Sequence, residues 1–65
     1  MKKEELEIFK SAKTVRLTCN FGNSEPIFYT GRILKVGEEV VLLQDKYGKK
    51  VLIAIDSIKK IEEVD

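Results

Sequence analysis

Two short clusters in the chain place an aromatic ring beside a cation. Phe28 and Tyr29 stand close to Arg32, and Tyr47 is flanked by Lys46, Lys49 and Lys50. Exposed rings stack on unpaired nucleobases, an interaction worth about 1–3 kcal/mol per base and tolerant of base identity. Nearby cations can then meet the phosphate backbone. Each cluster also has a plainer reading. Neighbours along a strand face opposite ways, which would send one of Phe28 and Tyr29 into a core. Lysines at a hairpin tip commonly serve solubility. Lys59-Lys60, followed at once by Glu62-Glu63, reads as a solvated face.

The residue types present argue against catalysis. The chain has no histidine, the side chain most often used as a general base. Ser11, Ser24 and Ser57 lack the sequence context of an activated nucleophile. Asp45 and Asp56 lie beside turns, where a carboxylate ordinarily caps backbone N–H groups. Cys19, the one cysteine, alternates with Leu17 and Phe21 and reads as a small core residue. A single thiol without histidine cannot build a tetrahedral zinc site, and no EF-hand spacing is present. The expectation is a binding module and not an enzyme, with no metal and no cofactor.

Stepping outward from these side chains, Lys3 to Ser11 predicts a short helix, with Lys3 and Glu7 spaced for contact and Leu6 and Phe9 on one face, Ile8 nearby. From Thr14 the period changes to two: Val15, Leu17, Cys19 and Phe21 alternate with Arg16, Thr18 and Asn20, a half-buried strand. Gly22 to Pro26 predicts a turn. A second strand follows over Ile27 to Val36, and Gly31 in its middle marks a bulge or bend. After a turn at Gly37-Glu38-Glu39, Val40-Val41-Leu42-Leu43 is apolar on both faces, which predicts a central strand covered on both sides. Asp45 to Gly48 turns the chain again. Lys50 to Ile55 is a fourth strand, Asp56-Ser57 a corner, and Ile58 to about Glu62 a fifth. The predicted architecture is mostly β: one short helix and a five-stranded, strongly bent antiparallel sheet forming a small SH3-type barrel, as one domain over residues 1–65.

Sixty-five residues bury only roughly 60% of the surface of the unfolded chain, so net stability should be thin. Disulfides and structural metals being excluded, self-association is the remaining reinforcement. A formal charge of +1 with 35% charged residues gives no support for sequence-blind duplex binding. No apolar run approaches the roughly 20 residues needed to span a bilayer, and Met1 to Glu5 lacks the apolar stretch of a secretion signal. The expected location is the cytoplasm.

Gly31-Arg32-Ile33, the turn at Gly37, Val40-Val41-Leu42-Leu43, Gly48-Lys49-Lys50-Val51-Leu52-Ile53 and Ile58-Lys59-Lys60-Ile61 together resemble the bacterial Hfq branch of the Sm-like proteins. The likeness runs from Leu6 to Val64. It implies a homo-oligomeric ring of six or seven subunits that binds single-stranded RNA, often U-rich or A-rich. In that family the fourth strand of one subunit pairs with the fifth of the next, which here would draw on Val51, Ile53, Ile55, Ile58 and Ile61. Phe28, Tyr29 and Arg32 fall in the region resembling the family's second RNA-binding face. Other features depart from the pattern. The Tyr-Lys-His motif of the uridine pocket is replaced by Ala54-Ile55-Asp56, Glu39 stands where a base-stacking aromatic would be, the helix lacks an arginine-rich rim, and the first strand-to-strand linker is longer. These departures leave two expectations besides the RNA-binding ring: an assembly that has lost nucleic-acid binding, and a monomeric SH3-like barrel that binds peptides.

Overall fold

The computed structural model describes residues 1–22 and 25–64. It consists of a helix α1 (Lys3–Ile8) and strands β1 (Val15–Cys19), β2 (Ile27–Val36), β3 (Val40–Asp45), β4 (Lys50–Ala54) and β5 (Ile58–Glu63), with a 3-10 turn at Ile55–Ser57. The strands form one antiparallel sheet in the order β4-β3-β2-β1-β5. β4 and β5 are its two edges, so the sheet stays open and the predicted closure into a barrel does not occur within the chain.

β2 is the hinge of this arrangement. Its first half, Ile27 to Gly31, pairs with β1, and its second half, Gly31 to Val36, pairs with β3. Gly31 sits at the crossing, where an added Cβ would lie 2.1 Å from the Gln44 carbonyl oxygen. Only hydrogen fits there, and the glycine of the second strand is explained by that approach. A second irregularity, between Ile33 and Lys35, shifts the register against β3; such bulges add twist to a sheet.

One face of the sheet carries the core: Val15, Leu17, Cys19, Ile33, Val41, Leu43, Ile53, Ile55 and Ile58, covered by Leu6 of α1. The period-two pattern in β1 is realised as Val15, Leu17 and Cys19 inward with Arg16 outward. Phe21 does not continue it, because β1 ends at Cys19 and Phe21 is exposed. The helix is shorter than predicted: after Ile8 the chain winds on through i→i+3 bonds from Phe9 N–H to Leu6 C=O, Lys10 to Glu7 and Ala12 to Phe9, the tightening common at helix ends. Ile8 points to solvent, and Lys3 pairs with Glu38 at 2.6 Å instead of Glu7, tying α1 to the β2–β3 turn. β3 is central in pairing, as its sequence suggests, yet its outer face is open: Val40 is exposed and Leu42 only half-buried. The predicted fourth strand is one residue shorter, because Ile55 enters the 3-10 turn and its N–H donates to the Glu39 carbonyl. The predicted Gly22–Pro26 turn includes Asn23 and Ser24, which lie outside the described residues. No described helix is long and apolar enough to cross a membrane.

Candidate nucleic-acid interface

The exchange of partners at Gly31 creates a notch. Where β3 ends at Asp45, β2 runs on alone on that side through Ile27 to Thr30. Antiparallel ladders alternate, so a residue offers both backbone groups either to one neighbour or to the other. Val64 donates to Thr14 and Asn20 to Ser57, which directs the even-numbered residues of β1 toward β5 and the odd-numbered ones toward β2. Tyr29 and Ile27 are therefore engaged with β1, while the backbone groups of Phe28 and Thr30 face the notch.

The opposite wall is the β3–β4 turn. Asp45 accepts two backbone N–H groups on Oδ1, from Tyr47 and Lys49 at 2.9 Å each, and its carbonyl accepts from Gly48 N–H at 3.0 Å. Gly48 has a φ of +84, a conformation other residues rarely adopt. The turn thereby lifts Tyr47 into solvent, 82% exposed, with the Lys46 ammonium 5.3 Å from its ring centroid. Phe28, Tyr29, Thr30, Asp45, Lys46 and Tyr47 line the resulting cleft, of about 240 Å³.

The two aromatic clusters recognised in the sequence thus meet at one site. Four of the six residues singled out as RNA contacts, Phe28, Tyr29, Lys46 and Tyr47, line it. Arg32 stands apart on the outer face opposite Gln44, and Lys49 is exposed and does not line the cleft. The opposed facing of Phe28 and Tyr29 is realised: Tyr29 packs against the core, whereas Phe28 is 58% exposed. Arg16, not singled out from sequence, lies 6.0 Å from the Phe28 ring centroid and is bonded to Glu62 at 2.8 Å. Its outward position follows from the β1 alternation, but its neighbours depend on register, which a single sequence does not reveal. The Arg16 guanidinium holds the Glu62 carboxyl below the usual range.

The residues proposed from sequence for a subunit interface are placed differently from one another. Ile53, Ile55 and Ile58 are buried in the chain's own core at 2%, 4% and 0% exposure, and Val51 and Ile61 are half-buried against it. Substituting Ile53 or Ile55 would disturb folding directly and cannot report on assembly. What the edges offer instead is backbone. The Asp45-to-Lys49 and Ile55-to-Glu39 bonds fix the alternation in β4, so that the N–H groups of Lys50, Leu52 and Ala54 point away from β3 into open space. By the same logic those of Ile61 and Glu63 point away from β1. Leu52 is 68% exposed and, with Val40, Leu42, Lys35 and Gly37, lines a second, largely apolar depression beside the β4 edge.

The positions resembling the uridine-pocket motif present little to a base: Ala54 and Asp56 are exposed, Ile55 is buried, and Glu39 is exposed in the turn between β2 and β3. Compared with known families, with curated proteins and with solved structures, the chain finds no match.

Proposed function

We propose that this chain is an Sm-like module whose copies pair edge to edge into a ring of six or seven, and that the ring binds single-stranded RNA through the Phe28–Tyr47 cleft. The observation that carries the reading is the pair of free edges at opposite ends of one sheet. Unpaired edge strands are templates for another chain unless something covers or blunts them. Here charge also favours one alignment: antiparallel pairing of β4 with a neighbour's β5 sets Lys49 and Lys50 near Glu62 and Glu63. The cleft supports the RNA half, because it brings exposed rings and a lysine together.

The test is oligomer mass by light scattering, followed by titration with short U-rich and A-rich oligomers at low salt. Leu52→Pro is the variant suited to assembly: it removes an N–H that has no partner among the described residues, and proline is tolerated on an edge strand with its nitrogen outward. The expected result is a wild-type ring and a folded, dissociated variant. An unchanged mass would move the interface elsewhere, and a ring indifferent to both oligomers would remove RNA from the proposal. The latter outcome belongs to the second reading, an assembly without nucleic-acid binding, which the net charge of +1 and the replacement of the uridine motif by Ala54-Ile55-Asp56 favour.

A further inference from the structure

We propose that the cleft between β2 and the β3–β4 turn selects guanine, with the base stacked against Phe28 and Tyr47 and its N1–H and N2–H edge turned to the Asp45 carboxylate. The inference deepens the RNA-binding reading above and rests on it.

Size restricts the occupant first. A cleft of about 240 Å³ lies below the roughly 300 Å³ at which pockets for drug-sized ligands begin. It admits one planar ring system, with the remainder of the ligand outside. Two of its aromatic walls, Phe28 and Tyr47, are exposed and offer a face on which a flat base can stack.

Asp45 then decides which ring system. Both backbone N–H groups of the turn are received by Oδ1, and no described residue donates to Oδ2. An ionised carboxylate only accepts, and Oδ2, which is not buried, is free to take a donor from a ligand in the place of water. Guanine presents two adjacent donors, N1–H and N2–H. Uracil presents one N–H between two carbonyl oxygens, and adenine and cytosine each set an amino group beside a ring nitrogen acceptor; in all three an acceptor would be pressed toward the carboxylate. The Phe28 and Thr30 backbone groups facing the notch can meet the rest of the base edge. Hydrogen bonds to an ionised acceptor are roughly twice as strong as neutral ones, so the carboxylate dominates the choice. Lys46 lies 5.3 Å from the Tyr47 ring centroid and Arg16 6.0 Å from that of Phe28, so each ring would stack the base on the face its cation leaves open. The preference departs from the U-rich and A-rich ligands that the sequence resemblance implies.

The experiment uses the full chain and fluorescein-labelled RNA hexamers, read by anisotropy at low salt: all uridine, all adenosine, and uridine carrying guanosine or inosine at the second and fourth positions. Isolated guanosines avoid quadruplex formation. The guanosine hexamer should bind about tenfold more tightly than the uridine hexamer, the effect of one charge-assisted hydrogen bond. Inosine, which lacks the N2 amino group, should lose most of that gain without any change to the protein. Asp45→Asn keeps an oxygen for the two turn N–H groups but presents an NH₂ in place of Oδ2, and should abolish or reverse the preference while thermal melting stays near wild type. Phe28→Ala and Tyr47→Ala should weaken all hexamers by a similar factor. Equal affinities for guanosine, inosine and uridine hexamers overturn the guanine assignment and leave RNA binding standing. No binding by any hexamer removes both. Competition by free guanosine 5′-monophosphate as effective as by the guanosine hexamer overturns RNA as the source of the base.

Discussion

Gly31 shows how much one side chain, or its absence, controls. A Cβ there would sit 2.1 Å from the Gln44 carbonyl oxygen and 2.8 Å from the Asp45 Cα, both backbone atoms that cannot swing aside. Gly31→Ala must therefore push β3 off β2 at the point where β2 changes partner, and the notch would widen with it. The expected cost is about 3 kcal/mol, the upper end for overpacking, seen as a lower urea midpoint, together with loss of whatever affinity the cleft has. A change of less than about 0.5 kcal/mol, the scale of an ordinary surface substitution, would mean that the crossing is looser than this geometry. Cys19 supplies a second residue-scale test. It is fully buried, and burial pushes its thiol pKa up, offset in part by the Ser57 hydroxyl. Only the thiolate is an effective nucleophile, so alkylation in the native state should be far slower than in urea and should track the fraction unfolded. Rapid labelling of the folded protein would place Cys19 outside the core.

At the scale of elements, β1 and β5 are joined by their ladder and by the Arg16–Glu62 pair, whose two guanidinium contacts measure 2.8 and 3.2 Å. Because the pair holds the Glu62 carboxyl below its usual range, the folded state binds a proton there less readily than the unfolded chain. The stabilisation is complete above the ordinary carboxylate range and is lost as pH falls through the lowered folded value. Glu62→Gln should consequently lower the urea midpoint at pH 7 and shrink the difference between pH 7 and pH 3; an equal acid dependence in both proteins would dismiss the pair. The strands themselves were legible in the chain because period-two burial leaves its mark at Val15-Leu17-Cys19 and at Val41-Leu43. Gly31 as a bend was legible too. Less accessible were features that depend on which strand lies beside which: Arg16 over Phe28, the preference of Lys3 for Glu38 over Glu7, and the open outer face of β3. Val40-Val41-Leu42-Leu43 is apolar throughout, but local sequence does not say whether a second layer covers its outer side. The cleft lay between these cases, since both of its aromatic clusters could be picked out while the turn of β2 that unites them is a tertiary event.

For the molecule as a whole, the open sheet and the small size bear on each other. With 65 residues and one layer of sheet under a six-residue helix, the chain has little apolar surface to bury. Two edges then leave the backbone N–H groups of Lys50, Leu52, Ala54, Ile61 and Glu63 with no partner in the described chain. Water can satisfy them, but a neighbour's edge can do so while also covering Leu52 and Val40. If association of folded copies supplies part of the stability, mass action requires that stability to rise with concentration, because unfolded chains do not assemble. Each tenfold increase is worth about 1 kcal/mol per chain in a ring, and for a domain of this size 1 kcal/mol moves Tm by roughly 4–8 °C. A hundredfold rise in concentration should therefore raise the wild-type Tm on the order of 10 °C. Leu52→Pro should melt lower and at a Tm independent of concentration, since its edge no longer offers the donor that a neighbour must meet. A wild-type Tm that stays constant across that range would show that the folded chain is stable without its copies, and the edges would then need no partner at all.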